Sequence, residues 1–195
     1  MTLGRRMGLL PVAVIGGLAY GVRDCIADLV RFEKPRAAVL AVRTNFVEQS
    51  ISWKLYEHSG PKGGSTESGI LSSDMLPVSI LSILLTLARD GLYDYILVTL
   101  PPGMQADLVA LNLLQWSVRG QALADHLRIS AVVAAVDTSC LETDLDCGDR
   151  MIERGLALGP EDSRTVAETT ARNLEVADVV VVGGIGGLWM TRREP

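Results

Sequence analysis

The apolar runs of this chain come in two kinds, and their lengths and periods set out its elements. Pro11-Val-Ala-Val-Ile-Gly16, Ala37-Ala-Val-Leu-Ala-Val42, Tyr95-Ile-Leu-Val-Thr-Leu100, Ile129-Ser-Ala-Val-Val-Ala-Ala-Val136 and Val179-Val-Val-Val182 are short, β-branched and almost free of polar positions. Such runs predict strands buried on both faces. Between them apolar residues recur at helical spacing. Val22, Ile26, Leu29 and Val30 follow the first strand; Ile80, Leu81, Leu84, Leu85 and Leu87 lie within Asp74 to Leu92; Leu108, Leu111, Leu114 and Val118 mark a helix over Met104 to Val118. Thr165-Val-Ala-Glu168 has the spacing of a capping box and opens a further helix to about Glu175. Ile51-Ser-Trp-Lys-Leu-Tyr56 alternates instead, as a strand wet on one face and near an edge does. Ser59 to Thr66 has the Gly and Pro density of a mobile loop, and the acidic stretch from Thr138 to Asp162 reads as irregular.

Strands alternating with helices predict the α/β class: a three-layer fold with a parallel sheet of five or six strands, helices on both faces and right-handed crossovers. Ligands of such folds sit beyond the carboxyl ends of the strands. Those ends are Gly16 to Gly21, Thr99 to Gly103, Asp137, and Gly183 to Gly187.

The first of these ends has the layout of a phosphate-binding loop, a buried strand, a Gly-rich turn and a helix, but not its chemistry. With the first Gly of the P-loop pattern on Gly17, Val22 falls on the second Gly, Arg23 on the Lys and Asp24 on the Mg²⁺-binding hydroxyl. A carboxylate at Asp24 repels an anion, and Val22 blocks the close backbone approach that glycine permits. A corner that binds no phosphate is therefore the preferred reading. Were a nucleotide held, Gly16, Gly17, Gly21 and Arg23 would hold it, with Asp137 at the end of the fourth strand.

The 195 residues are 48% hydrophobic, enough for one core. A net charge of −5 and a pI near 5.0 argue against a general nucleic-acid binder, which needs a basic surface. Three cysteines and two histidines are too few and scattered for a disulfide framework, which favours a reducing cytoplasm. Cys25 is expected to pack in the first helix. Cys140 and Cys147, with Asp144 and Asp146 between them, lack the CxxC pair of a metal site. Arg5-Arg6 before an apolar run resembles a signal peptide, but Pro11 interrupts it and no Ala-x-Ala follows, so a first buried strand fits better. No segment reaches the length of a membrane span.

Ala131-Val-Val-Ala-Ala-Val-Asp137, Arg164-Thr-Val-Ala-Glu168 and Glu175-Val-Ala-Asp-Val-Val-Val-Val182 occur in an order and spacing that resembles the nucleotide-binding domain of CobW-type proteins. These are GTPases and metal chaperones related to the nickel-insertion GTPases of urease and hydrogenase. The resemblance runs from Pro11 to Val182, most strongly over the last third, and covers one domain without the family's C-terminal domain. It implies a P-loop GTPase-like fold. The family's Gly-Cys-x-Cys-Cys falls on Gly69-Ile-Leu-Ser-Ser73, its acidic residue after the third strand on Thr99, and its guanine-reading Asn-Lys-x-Asp on Gly183-Gly-Ile-Gly186. A GTPase needs phosphate cradle, Mg²⁺ ligand and base reader together. The resemblance therefore implies a degenerate, non-catalytic pseudo-GTPase with no cofactor, acting on another protein or by self-association. Degenerate members point to zinc response, ribosome hibernation and a ribosome-associated partner. The alternatives are a protein that binds GTP with Mg²⁺ through an altered loop, a metal chaperone, or another doubly wound enzyme. The apolar Leu188-Trp189-Met190 tail is expected to lie exposed, where a closing strand is missing, and to serve as an interface.

Overall fold

The computed structural model describes residues 8–45, 50–57, 65–71, 76–115, 117–118, 121–184 and 187–192. In chain order the elements are β1 (Leu10–Gly16), α1 (Tyr20–Glu33), β2 (Ala37–Asn45), β3 (Ser50–Glu57), β4 (Ser65–Leu71), α2 (Leu76–Asp90), β5 (Tyr95–Thr99) and α3 (Ala106–Gln115). There follow β6 (Ser117–Val118), β7 (Gln121–Ala122), β8 (Leu127–Asp137), α4 (Leu141–Asp146), α5 (Val166–Val176), β9 (Val179–Gly184) and β10 (Gly187–Arg192).

An eight-stranded sheet runs in the order β10-β9-β8-β1-β5-β2-β3-β4. Its five central strands, β9 to β2, are parallel, whereas β3 and β4 add antiparallel on one side and β10 on the other. The chain is thus α/β, with a mixed, mostly parallel sheet between helical layers. Alternation along the central strands divides the core. Ala13, Ile15, Val39, Leu97 and Val133 face α1, which buries Val22 and Ala27 against them. Val12, Val14, Leu40, Ile96 and Val98 face α2 and α3 through Leu81, Leu84, Val109 and Leu113. The middle of each central strand is almost wholly apolar because both faces there meet helices.

Several expectations need correction. The helix expected to reach Val118 ends at Gln115, and Ser117–Val118 pairs with Gln121–Ala122 instead. Its inner face is Ala106, Val109, Ala110 and Leu113, while Leu108 and Leu111 point to solvent; the small alanines let α3 approach the sheet closely. Cys25 is exposed rather than packed, and so is Leu29. The β3 strand does lie near an edge, one place in from it. Its outer neighbour β4 begins at Ser65, inside the stretch expected to be loop; residues 59–64 of that stretch lie outside the described residues. A short helix, α4, occupies part of the segment read as irregular. The tail is not missing a closing strand, since β10 itself pairs with β9, Trp189 opposite Val182. The expected exposure of Leu188, Trp189 and Met190 falls outside the described side chains.

Two residues of the block that carries the family resemblance have framework roles. Asp178 accepts from the Val132 N–H at 2.8 Å while its own N–H donates to the Val132 carbonyl at 2.9 Å, fixing the turn between α5 and β9 on β8. Arg164 donates to the Gly103 carbonyl at 2.6 Å and to Asp162 at 2.7 Å, clasping the loop after β5 to the entry of α5. The capping box on α5 is present, with Thr165 and Glu168 each accepting from the other's backbone N–H.

Candidate functional site

The connection from β1 passes through α1 to β2 on one side, and the connection from β8 passes through α4 and α5 to β9 on the other. Between the carboxyl ends of β1 and β8 the chain therefore diverges, which is where doubly wound sheets hold ligands. A cavity of about 200 Å³ lies there. One wall is the turn from Gly17 to Gly21, a second the end of β8 from Ala134 to Asp137, and the third α4 and α5.

The turn is shaped by its glycine. Gly17 has φ of 108°, and a Cβ there would collide with the carbonyl oxygen of Ala135. Only glycine lets the chain leave β1 this close to β8. Helix α1 then starts with no side-chain cap and no acidic residue in its first turn. Its first N–H, that of Tyr20, turns back to the Leu18 carbonyl at 3.0 Å, and that of Arg23 meets the Ala19 carbonyl at 3.1 Å, so only Gly21 and Val22 are left to a cap that no side chain supplies.

The opposite walls carry the polar side chains. Asp137 accepts from the Ser139 hydroxyl at 2.6 Å and from the Ser139 N–H at 2.9 Å. These bonds, the hydroxyl's first, hold its carboxyl below the usual carboxylate range. No cation among the described residues pairs with it. Asp144 does have one, Arg154 at 2.7 Å. On α5, Asn173 is buried and donates to the Thr169 carbonyl at 2.8 Å. Thr170, only 8% exposed, leaves its hydroxyl without a hydrogen-bond partner among the described residues. Leu18, Leu141 and Leu174 supply the apolar surface.

Of the residues marked in the sequence, Gly17, Gly21 and Asp137 line this cavity. Gly16 does not; it is the last residue of β1 and packs against Asn173 and Ala106. Arg23 also lies elsewhere. Its guanidinium is 3% exposed, donates to the Leu100 carbonyl and lies over the Tyr20 ring at 4.2 Å. Burial pulls its pKa below the ordinary value, with Tyr20 and Asp24 acting the other way. Its Nε has no partner among the described residues. Asp24 is turned outward to Arg43 at 3.2 Å. Cys140 touches the cavity, but no group of three or more His, Cys, Asp or Glu placed to hold a metal occurs among the described residues. No helix among them is long and apolar enough to cross a membrane.

Sequence reasoning missed Thr170 and Asn173, and marked Asp144 only beside Cys140 and Cys147 in a possible metal site. A signal existed for the first two: Thr169, Thr170 and Asn173 put polar groups on the face that α5 buries. Asp144 sits on a short helix without a side-chain cap, paired with Arg154.

Neither a protein-family model nor a solved structure matches this chain.

Proposed function

We propose that this chain is a non-catalytic binding module, a pseudo-GTPase in the sense of its CobW-type resemblance, which acts through what it holds and not through turnover. The observation that supports this is the disposition of Arg23. The residue at the place of the phosphate-binding Lys is spent inside the fold, on the Leu100 carbonyl and the Tyr20 ring. Among the described residues no Lys or Arg lines the cleft beside β8. A phosphoryl-transfer site works by positioning and charge neutralisation, so a cleft without cations has little to offer a triphosphate. The partner is another protein, and the resemblance points to a ribosome-associated one.

The test is a thermal-shift series with GTP, GDP and ATP, with and without Mg²⁺, beside a hydrolysis assay. A ligand that binds only the folded state raises its stability by mass action. No shift and no turnover above background are expected. Mg²⁺-dependent turnover that is lost in Arg23→Ala would overturn the reading.

A further inference from the structure

We infer that Ser139 to Asp146, the strap that carries α4, is a gate on the cleft between β1 and β8, hinged at Thr138 and Cys147 and latched by Arg154 on Asp144. The strap forms part of the cavity wall through Cys140, Leu141 and Asp144. No residue from Ser139 to Asp146 is buried, and only Leu141 and Asp144 are half-buried. The walls it faces are of another kind, since Ala134, Ala135 and Val136 on β8 and Thr170 and Asn173 on α5 are all buried.

Both ends of the strap are fixed to the body. Thr138 donates to the Gly183 carbonyl in β9, from its N–H at 2.9 Å and from its hydroxyl at 3.1 Å. Cys147 packs on the small cluster of Met151, Ala157 and Val166, and the nearby Asp149 carbonyl accepts from the Val166 N–H at 2.9 Å. Between these anchors the bonds are local. Ser139 and the Cys140 N–H bond back to Asp137, the Asp144 N–H donates to the Cys140 carbonyl, and the Cys147 thiol lies 3.6 Å from the Asp144 carbonyl. Among the described residues one polar tie joins the strap to the body across the gap, the Arg154 guanidinium on the Asp144 carboxylate at 2.7 Å. Arg154 stands on firm ground, in the turn that the fully buried Met151 secures.

A helix this short does not hold by its own hydrogen bonds, and without a buried face it gains little from packing. Its charges also oppose it. Glu142, Asp144, Asp146 and Asp149 follow one another along this segment, and Arg154 meets two of them, reaching Asp149 at 3.5 Å as well as Asp144. Without that guanidinium the carboxylates are left to repel one another. Segments so weakly packed open locally, well below the free energy of global unfolding. Opening lifts Leu141 and Asp144 away and widens the cleft towards α5.

Hydrogen exchange read by mass spectrometry on the full chain tests the gate. Amides of α4 are expected to exchange through an opening that low urea does not accelerate, while those of α5 and β8 follow global unfolding. Arg154→Met keeps the aliphatic stem and loses the charge; it should speed α4 exchange about fivefold at an unchanged urea midpoint. Asp144→Asn should act similarly, and the double variant no further. To read access, Thr170→Cys, at a wall position only 8% exposed, is made in a chain whose three native cysteines are alanine. A bulky maleimide should label it about fivefold faster once Arg154→Met is added. The gate is overturned if α4 exchanges only together with α5, if it shows no protection in the parent chain, if Arg154→Met leaves its rate unchanged, or if labelling on α5 ignores Arg154.

Discussion

The two flanks of β1 are built from the same turn and the same helix start, yet one is open and the other sealed. Towards β8, the connections diverge and leave a cavity edged by Asp137 and Thr170. Towards β5, α1 leaves β1 on one face of the sheet and α3 leaves β5 on the other, so the connections cross and their loops pack together. Leu100, Pro101, Pro102, Gly103 and Met104 are all buried there. The cation that a phosphate site would place in solvent, Arg23, is locked into the sealed flank. An anion, Asp137, stands in the open one. Topology decides which flank is open, and the placement of these two charges makes the open one acidic.

Replacing Arg23 should have the largest effect. Arg23→Ala leaves the Leu100 carbonyl unpaired and opens a hole in the sealed flank, a loss of about 3 kcal/mol. Arg23→Met restores the volume and removes the burden of burying a charge with no carboxylate partner, so it should recover most of that loss. Urea unfolding of both variants decides the matter; if Ala and Met lose equally, the guanidinium's hydrogen bond outweighs its desolvation and the sealed flank is polar in character.

The two turn glycines should separate next. Gly17→Ala meets both positive φ and the Ala135 carbonyl, and should destabilise by about 2 kcal/mol while closing the cavity. Gly21→Ala has open space around it at the start of α1 and should stabilise by about 0.5–1 kcal/mol. Melting temperatures moving in the same direction would dissolve the distinction between a glycine that shapes the cleft and one that only borders it.

Acid titration gives the smallest effect. Asp162 is held below the usual carboxylate range: burial works against its ionisation, but the hydrogen bonds and charge of Arg164 outweigh it. A depressed folded-state pKa contributes stability that is fully present above the unfolded value, near 4, and is lost as pH falls through the folded value. Protonation frees Arg164 from its carboxylate and loosens the clasp on Gly103 at the sealed flank. Stability of the parent should therefore decline below about pH 4 more steeply than that of Asp162→Asn. Equal slopes would mean that Arg164 holds Gly103 without help.

The central strands were legible because five apolar runs lie between helical layers, which leaves few polar positions, Thr99 and Ser130 among them, to confuse the period. The outer strands were not. Ser65-Thr-Glu-Ser-Gly69 in β4 has one β-branched residue, Thr66, and no clean alternation, and its pairing with β3 makes it a strand. The rotation of α3 was misread for a related reason: Ala106 and Ala110 carry little hydrophobic signal, so the larger, exposed Leu108 and Leu111 dominated the pattern. At the site, the turn and Asp137 could be located from strand ends alone. Whether Arg23 points into the cleft or away from it depends on Leu100, far along the chain, and no local pattern carries that.

The position of β1 has a consequence in time. It is synthesised before both of its parallel neighbours, which begin only at Tyr95 and Leu127. During elongation the fully apolar Val12-Ala-Val-Ile15 segment emerges with both of its hydrogen-bonding edges unpaired, and β8 cannot close the second until most of the chain has been made. Such long-range parallel pairing is slow to form. A nascent chain stalled before β8 is complete exposes the very strand that later organises the cleft, and a holding chaperone would have its strongest purchase there.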